Sequence, residues 1–304
     1  MKRTAAALLF ASLLPAAVSA QRIDSRVLQV PGAVFRYSAE GHGPPIVAFT
    51  GSENIGQQFY SDRLRETVTI IHADPSQVPE DQLAAQTMRT VLEDIERVRN
   101  ALGAEKISVM GHSMFGAVPL EYGLAYPEHV QWLILSGALP YTTEKAFAAS
   151  AAYWDTAASQ DRKEIRKENY TALAQRAAAQ RTEAERFWDQ YVADVPLRFA
   201  DPRFDMQAFA AAVAPTTNVA FVNRFWGVVL KDFDNTAAYR RLAAPVLVIA
   251  GRYDFGAPYF LWEEVGRSIP DYTFHLFENA GHNPMLEAPA QFDDVLIHWM
   301  GSRR

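Results

Sequence analysis

The 304-residue chain is 49% hydrophobic, 21% charged and 12% aromatic, which suits one large packed core and excludes a mainly disordered chain. Sixteen Gly and 17 Pro without a repeating register exclude a fibrous architecture. The 29 Lys and Arg face 35 Asp and Glu, a net charge of -6 with no basic cluster, and this excludes nucleic acid as a partner.

The first twenty residues carry an address. Lys2 and Arg3 precede an apolar run from Ala5 to Leu14, Pro15 breaks it, and Val18-Ser19-Ala20 offers small residues for cleavage after Ala20. The competing reading is an uncleaved anchor, but the run falls short of the about 20 residues that a bilayer requires. The expectation is a signal peptide over 1–20, a periplasmic or secreted product and no membrane span after cleavage. Losing Lys2 and Arg3 leaves 27 basic residues against 35 acidic ones, a charge of -8. The absence of Cys rules out disulfides, thiolate metal sites and a Cys nucleophile.

Short apolar runs then alternate with amphipathic stretches, the pattern of an α/β sheet with crossover helices. Residues 27–30 and 34–37 predict a hairpin turned at Pro31-Gly32. Residues 46–49 and 68–71 predict buried strands. Residues 83–102 predict one long helix with Leu83, Met88, Val91, Leu92, Ile95 and Val98 on a stripe. Further strands are expected over 107–110, 132–135, 246–250 and 273–277, and a closing helix over 290–300. Between 140 and 244 no strand pattern appears, and Ala-rich stretches at 148–158 and 172–179 favour helix. This predicts a core made of residues 21–139 and 245–304, with 140–244 laid over it as a helical cap.

Chemistry concentrates at three strand ends. The run Ile107-Ser108-Val109-Met110 leads into Gly111-His112-Ser113-Met114-Phe115-Gly116, a strand, a sharp turn and a helix. That context strains a Ser and exposes its hydroxyl at a helix N-terminus, so Ser113 is the candidate nucleophile. A neutral hydroxyl needs a base, and the base needs an orienting carboxylate. His282 follows the last strand in Asn279-Ala280-Gly281-His282-Asn283-Pro284, where ligands of open α/β sheets collect, whereas His72 is a weaker rival. Asp254 follows the strand 246–250 in Gly251-Arg252-Tyr253-Asp254 and is the candidate carboxylate. The N–H groups of Met114 and Ser52 are the candidate oxyanion hole, with Gly51 allowing close approach. Phe115 occupies a position where a small residue is usual, and it is expected to fill core rather than cleft.

These motifs resemble those of the α/β-hydrolase superfamily over residues 46–299, and the long cap with Phe187-Trp188-Asp189-Gln190-Tyr191 is similar to the proline iminopeptidase group and its esterase-like neighbours. The resemblance implies an α/β-hydrolase fold, with a mostly parallel sheet flanked by helices and a helical cap, a Ser113-His282-Asp254 triad and no metal or organic cofactor. The aminopeptidases carry His-Gly-Gly-Pro-Gly where this chain has Thr50-Gly51-Ser52-Glu53-Asn54, and Gly-Gly-Ser-Trp-Gly where it has Gly111-His112-Ser113-Met114-Phe115. Their amine-binding acids do not carry over, and Glu53, Asp189 and Asp194 are read as solvated surface charges. Trp188, Tyr191 and Trp226, with Gly51, are candidate pocket residues, although Trp154, Trp188, Tyr191, Phe225 and Trp226 also suit packing between cap helices. Three functions compete: a serine hydrolase acting on a small-molecule ester or amide, an aminopeptidase acting on short peptides, and a binding protein on a retired hydrolase scaffold.

Overall fold

The computed structural model describes residues 25–176 and 181–303, so the leader expected over 1–20 lies outside the described residues. Eight strands form one sheet: β1 Arg26–Leu28, β2 Arg36–Gly41, β3 Pro45–Phe49, β4 Thr69–Asp74, β5 Ile107–His112, β6 Val130–Ser136, β7 Val246–Gly251 and β8 Tyr272–Phe277. Their spatial order is β1-β2-β4-β3-β5-β6-β7-β8. The β1–β2 and β2–β4 pairs are antiparallel, and every later pair is parallel. This is the α/β-hydrolase fold.

The central strands are apolar throughout because both faces are covered. Successive residues point to opposite sides. Val47, Val109, Leu133 and Val248 enter one core, whereas Ile46, Met110, Ile134 and Ile249 enter the other. The helices Met88–Ala101 and Ala117–Ala125 cover the first face, and Pro289–Gly301 packs on the second.

Two expectations change. The long helix expected over 83–102 is a short turn, Glu80–Leu83, followed by a separate helix, Met88–Ala101. Thr87 starts the second: its hydroxyl accepts the Thr90 N–H at 3.3 Å, and the Thr90 hydroxyl accepts the Thr87 N–H at 3.0 Å. Leu83 is buried all the same. The second strand of the hairpin begins at Arg36, two residues later than expected, because Asp94 Oδ2 takes the N–H groups of Val34 and Phe35 at 2.8 and 3.0 Å.

Between 140 and 244 the described residues hold helices and no strand. The Ala-rich stretches lie in Glu144–Ala157 and Gln160–Arg176, and residues 177–180 are outside the described residues. Glu183–Ala193 opens on a capping box in which Thr182 and Glu185 exchange hydrogen bonds, and Val219–Arg224 runs into a π-helical turn, Phe225–Val229. Among the described residues no helix is long and apolar enough to cross a membrane.

Candidate active site

β5 ends at His112, and the chain turns at once through Ser113, which has φ of 56°. A non-glycine residue in this left-handed region is held there by its surroundings. The turn closes so tightly that a Cβ on Gly111 would overlap the Phe115 carbonyl, so Gly is required. A short 3₁₀ turn, Ser113–Gly116, intervenes before the helix Ala117–Ala125, where a continuous helix was expected.

β7 delivers Asp254, fully buried, and the loop after β8 delivers His282, 4% exposed. His282 Nδ1–H donates to Asp254 Oδ2 at 2.6 Å, and Ser113 Oγ lies 2.9 Å from His282 Nε2. With Nδ1 committed as donor, Nε2 is the acceptor for the Ser113 hydroxyl proton. The other oxygen of Asp254 accepts the N–H groups of Gly256 at 3.1 Å and Ala257 at 2.9 Å, which fixes the carboxylate plane. Gly137, at the end of β6, lets the His282 loop approach: its φ is +55°, and a Cβ there would overlap the His282 carbonyl oxygen. An imidazole placed in this way can take the proton from a hydroxyl as it attacks an electrophilic carbon.

His112 lies beside this group. Its ring sits 5.0 Å from that of His282, and its Nδ1 is 3.0 Å from the Ser136 carbonyl oxygen. Burial first, and then the neighbouring His282, push its pKa well below the ordinary histidine value, so His112 stays neutral. His72 is remote in function: fully buried, it bonds Glu40 at 2.8 Å, and Arg65 holds the same carboxylate at 2.8 Å.

A cavity of about 480 Å³ opens on Ser113, Met114 and His282 and is walled by Tyr191, Trp226 and other residues of 140–244. A smaller one of about 100 Å³ adjoins the same serine and is lined by Gly51, Met114, Trp188 and Tyr191. Trp188 faces only this smaller space, with its Nε1–H on Thr217 Oγ1 at 2.7 Å. Ser52 lines neither cavity. It is fully buried, and its hydroxyl accepts the Ile55 N–H to cap the helix Glu53–Phe59. Trp226 is 40% exposed at the mouth, edge to face with Phe147. Trp154 packs against Phe255, and Phe225 is fully buried.

Phe115 is 4% exposed and meets the rings of Phe49, Phe221 and Phe225 at centroid distances of 6.1, 6.3 and 5.2 Å. It also edges the smaller cavity. The three acids expected to be solvated are ion-paired instead. Glu53 meets Arg36 at 2.9 Å, Asp189 meets Arg181 at 2.7 Å and Asp194 meets Arg166 at 2.8 Å. Glu53 and Asp194 are buried, which a lone carboxylate would not tolerate without such a partner.

Three residues escaped the sequence reading. Glu287 takes the N–H groups of Gly281, Asn283 and Ala200 at 2.9, 3.2 and 2.7 Å, binding the His282 loop to the 140–244 segment. Burial, outweighing these donors, lifts its carboxyl to about 7, and the charge of Asp254 adds to the rise. Arg162 is 5% exposed and donates to the carbonyls of Pro196, Phe199 and Ala200 at 2.7, 2.6 and 2.5 Å. Arg198 lines the larger cavity. Only Glu287 had a signal: one helical turn after Asn283, it can reach back to cap the N–H groups before it.

A family model described as alpha/beta hydrolase fold matches residues 60–289. The AB hydrolase superfamily protein YclE of Bacillus subtilis (strain 168) is 29% identical over 269 residues, 87% of this chain and 94% of the relative. A proline iminopeptidase of Lactobacillus delbrueckii subsp. bulgaricus is 26% identical over 247 residues, 75% of this chain and 77% of the relative. Among solved structures, the proline iminopeptidase of Mycobacterium smegmatis superposes with a TM-score of 0.63 at 22% identity, covering 92% of this chain and 98% of that one. The esterase of Exiguobacterium antarcticum superposes with a TM-score of 0.64 at 19% identity, covering 90% and 98%. At these identities the two solved structures speak for the fold alone.

Proposed function

The chain belongs to the α/β-hydrolase-fold family, and from that premise we propose that it is a serine hydrolase cleaving a small ester or amide through an acyl-enzyme. The hydrogen-bonded line from Ser113 Oγ through His282 to Asp254, at 2.9 and 2.6 Å, carries the reading. In the proposed reaction His282 accepts the Ser113 proton as Oγ attacks the acyl carbon, and then returns it to the leaving alcohol or amine. Asp254 keeps Nδ1 protonated and stabilises the imidazolium. The Met114 N–H, on the wall of both cavities beside Ser113, would hold the oxyanion. Water, deprotonated by His282, then releases the acyl group and restores Ser113.

The aminopeptidase reading has the Lactobacillus relative behind it. It needs a carboxylate to receive the substrate amine, and the one acid on the larger cavity wall, Asp194, is already paired with Arg166. Ester or neutral amide cleavage is therefore preferred. Turnover of 4-nitrophenyl butyrate beside proline 4-nitroanilide tests the choice. The ester should be favoured by at least about 100-fold in kcat/KM, a gap of about 2.7 kcal/mol. A proline anilide turned over faster than the ester would reverse it.

Export forms part of the proposal and rests on residues 1–20 alone. Intact-mass measurement on protein recovered from outside the host cytoplasm should give an N-terminus at Gln21. A mass that retains Met1 would refute cleavage.

A further inference from the structure

Two opposite charges stand on the wall of the larger cavity, and only one is neutralised. Asp194 is held by Arg166 Nε at 2.9 Å and Nη2 at 2.8 Å. Arg198 has no carboxylate oxygen within ion-pair distance among the described residues, and its side chain donates no hydrogen bond to any of them. Its Nε is enclosed without an acceptor. The guanidinium carbon lies 4.7 Å from the centre of the Tyr191 ring, whose hydroxyl is taken up by the Asn283 amide at 3.1 Å. An aromatic face attracts a cation but satisfies none of its N–H donors in their own plane.

Asp254, the acid of the site, does not answer this cation. Both oxygens of Asp254 are engaged, one by His282 and the other by the N–H groups of Gly256 and Ala257. The Arg198 guanidinium reaches the neighbourhood of Gly256, where a Cβ would lie 3.9 Å from Nη1, and Gly256 itself lines the cavity. The guanidinium thus shares the cavity wall with Ser113 and His282 and has donors to spare.

Its backbone is fastened on both sides. The Arg198 carbonyl accepts the His282 N–H at 2.5 Å, Arg162 grips the carbonyls of Pro196, Phe199 and Ala200, and Glu287 takes the Ala200 N–H. A cation presented from so fixed a helical turn loses little freedom on meeting a ligand. Apart from it, the wall is largely apolar, with Leu139, Phe147, Val222, Trp226 and Leu230.

We propose that the substrate carries a carboxylate, which Arg198 receives as a bidentate pair while the apolar wall takes the body of the molecule. The class is a half-ester or half-amide of a dicarboxylic acid, or an acyl compound whose leaving group bears the acid. This rests on the serine-hydrolase reading. It also gives a reason for an amine terminus to be rejected, since Arg198 repels it.

Matched esters test the proposal in a pH-stat at neutral pH. Monomethyl glutarate is compared with methyl 5-methylhexanoate for a carboxylate on the acyl side, and butyrylglycolate with isobutyl butyrate for one on the leaving side. In each pair a carboxylate replaces an isopropyl group. In at least one pair the wild type should favour the anion by about 10-fold or more in kcat/KM. Arg198→Gln should lower turnover of that anion by about 30-fold, mainly through KM, and leave its neutral partner within about threefold, while Arg198→Lys restores part of the loss. Melting temperatures, read alongside, identify any variant that fails to fold, and the wild-type preference stands without a variant. The proposal is overturned if neutral esters are cleaved at least as well as anions in both pairs, or if Arg198→Gln slows both members equally. If no ester of either kind is cleaved and a fluorophosphonate leaves Ser113 unlabelled, the hydrolase reading itself has failed.

Discussion

The catalytic edge of the sheet and the segment 195–200 that faces it, the helical turn Val195–Arg198 and the two residues after it, are built in opposite ways. Ser113, Asp254 and His282 hang from the ends of β5, β7 and β8, each within a few residues of the strand that aims it. The facing segment is placed by contacts from far along the chain: Arg162 from one helix and Glu287 from another, with 34 to 87 residues between the partners. The sheet edge gains its precision from the backbone ladder, whereas the facing segment depends on a few side chains that gather unpaired carbonyls and N–H groups. Chemistry is therefore robust to changes in 140–244, and the shape and charge of the substrate space are not.

The sharpest way to break this contrast lies at the edge. Asp254→Asn should retain the fold, because the amide oxygen still accepts from Gly256 and Ala257, but lower kcat by roughly 10³–10⁴-fold by favouring the wrong imidazole tautomer. Ester kinetics with a melting curve check it, and near-normal kcat would remove Asp254 from the relay.

Phe115 joins the catalytic edge to the 140–244 segment, since it leaves the turn after Ser113 and ends among Phe221 and Phe225. Phe115→Ala should destabilise by about 3–5 kcal/mol in denaturant unfolding. The ranking of acetyl, butyryl and octanoyl esters should hold, and a re-ordering at little cost in stability would assign Phe115 to the cleft.

Arg162→Met removes the fork beneath the segment 195–200 and leaves three carbonyls without that donor. The expected loss is about 2–4 kcal/mol. KM should rise while Ser113 still labels with a fluorophosphonate, and a fall in labelling with unchanged stability would place Arg162 in the chemistry.

The smallest effect concerns Glu287, whose carboxyl sits near 7 through burial. A raised carboxyl favours the folded state most when it is neutral. Its contribution is full below the ordinary value of 4.5 and disappears as pH rises through about 7. Glu287→Gln does not titrate, so its stability relative to wild type should improve from about pH 5 to about pH 8, by on the order of 2 kcal/mol at most. A difference that stays flat with pH would show Glu287 ionised throughout.

The same contrast explains what could be read from the sequence. Strand ends are legible because apolar runs, Gly-x-Ser and Gly-His sit next to one another, and these motifs located the three side chains that the fold brings together. The break at Thr87 and the late start of β2 were not legible, since each depends on one side chain finding particular N–H groups. Asp194 and Glu53 were misread as solvated because their partners, Arg166 and Arg36, lie 28 and 17 residues away with no motif to connect them. Arg198 was invisible for the same reason: its meaning lies in the acid it lacks.

Fluorophosphonate labelling followed by peptide mass mapping tests the central claim most directly. Folded wild-type protein should gain one adduct, on the peptide containing Ser113, and Ser113→Ala should gain none. Folded protein that stays unlabelled, or a Ser113→Ala variant that labels as fast as wild type, would contradict the account.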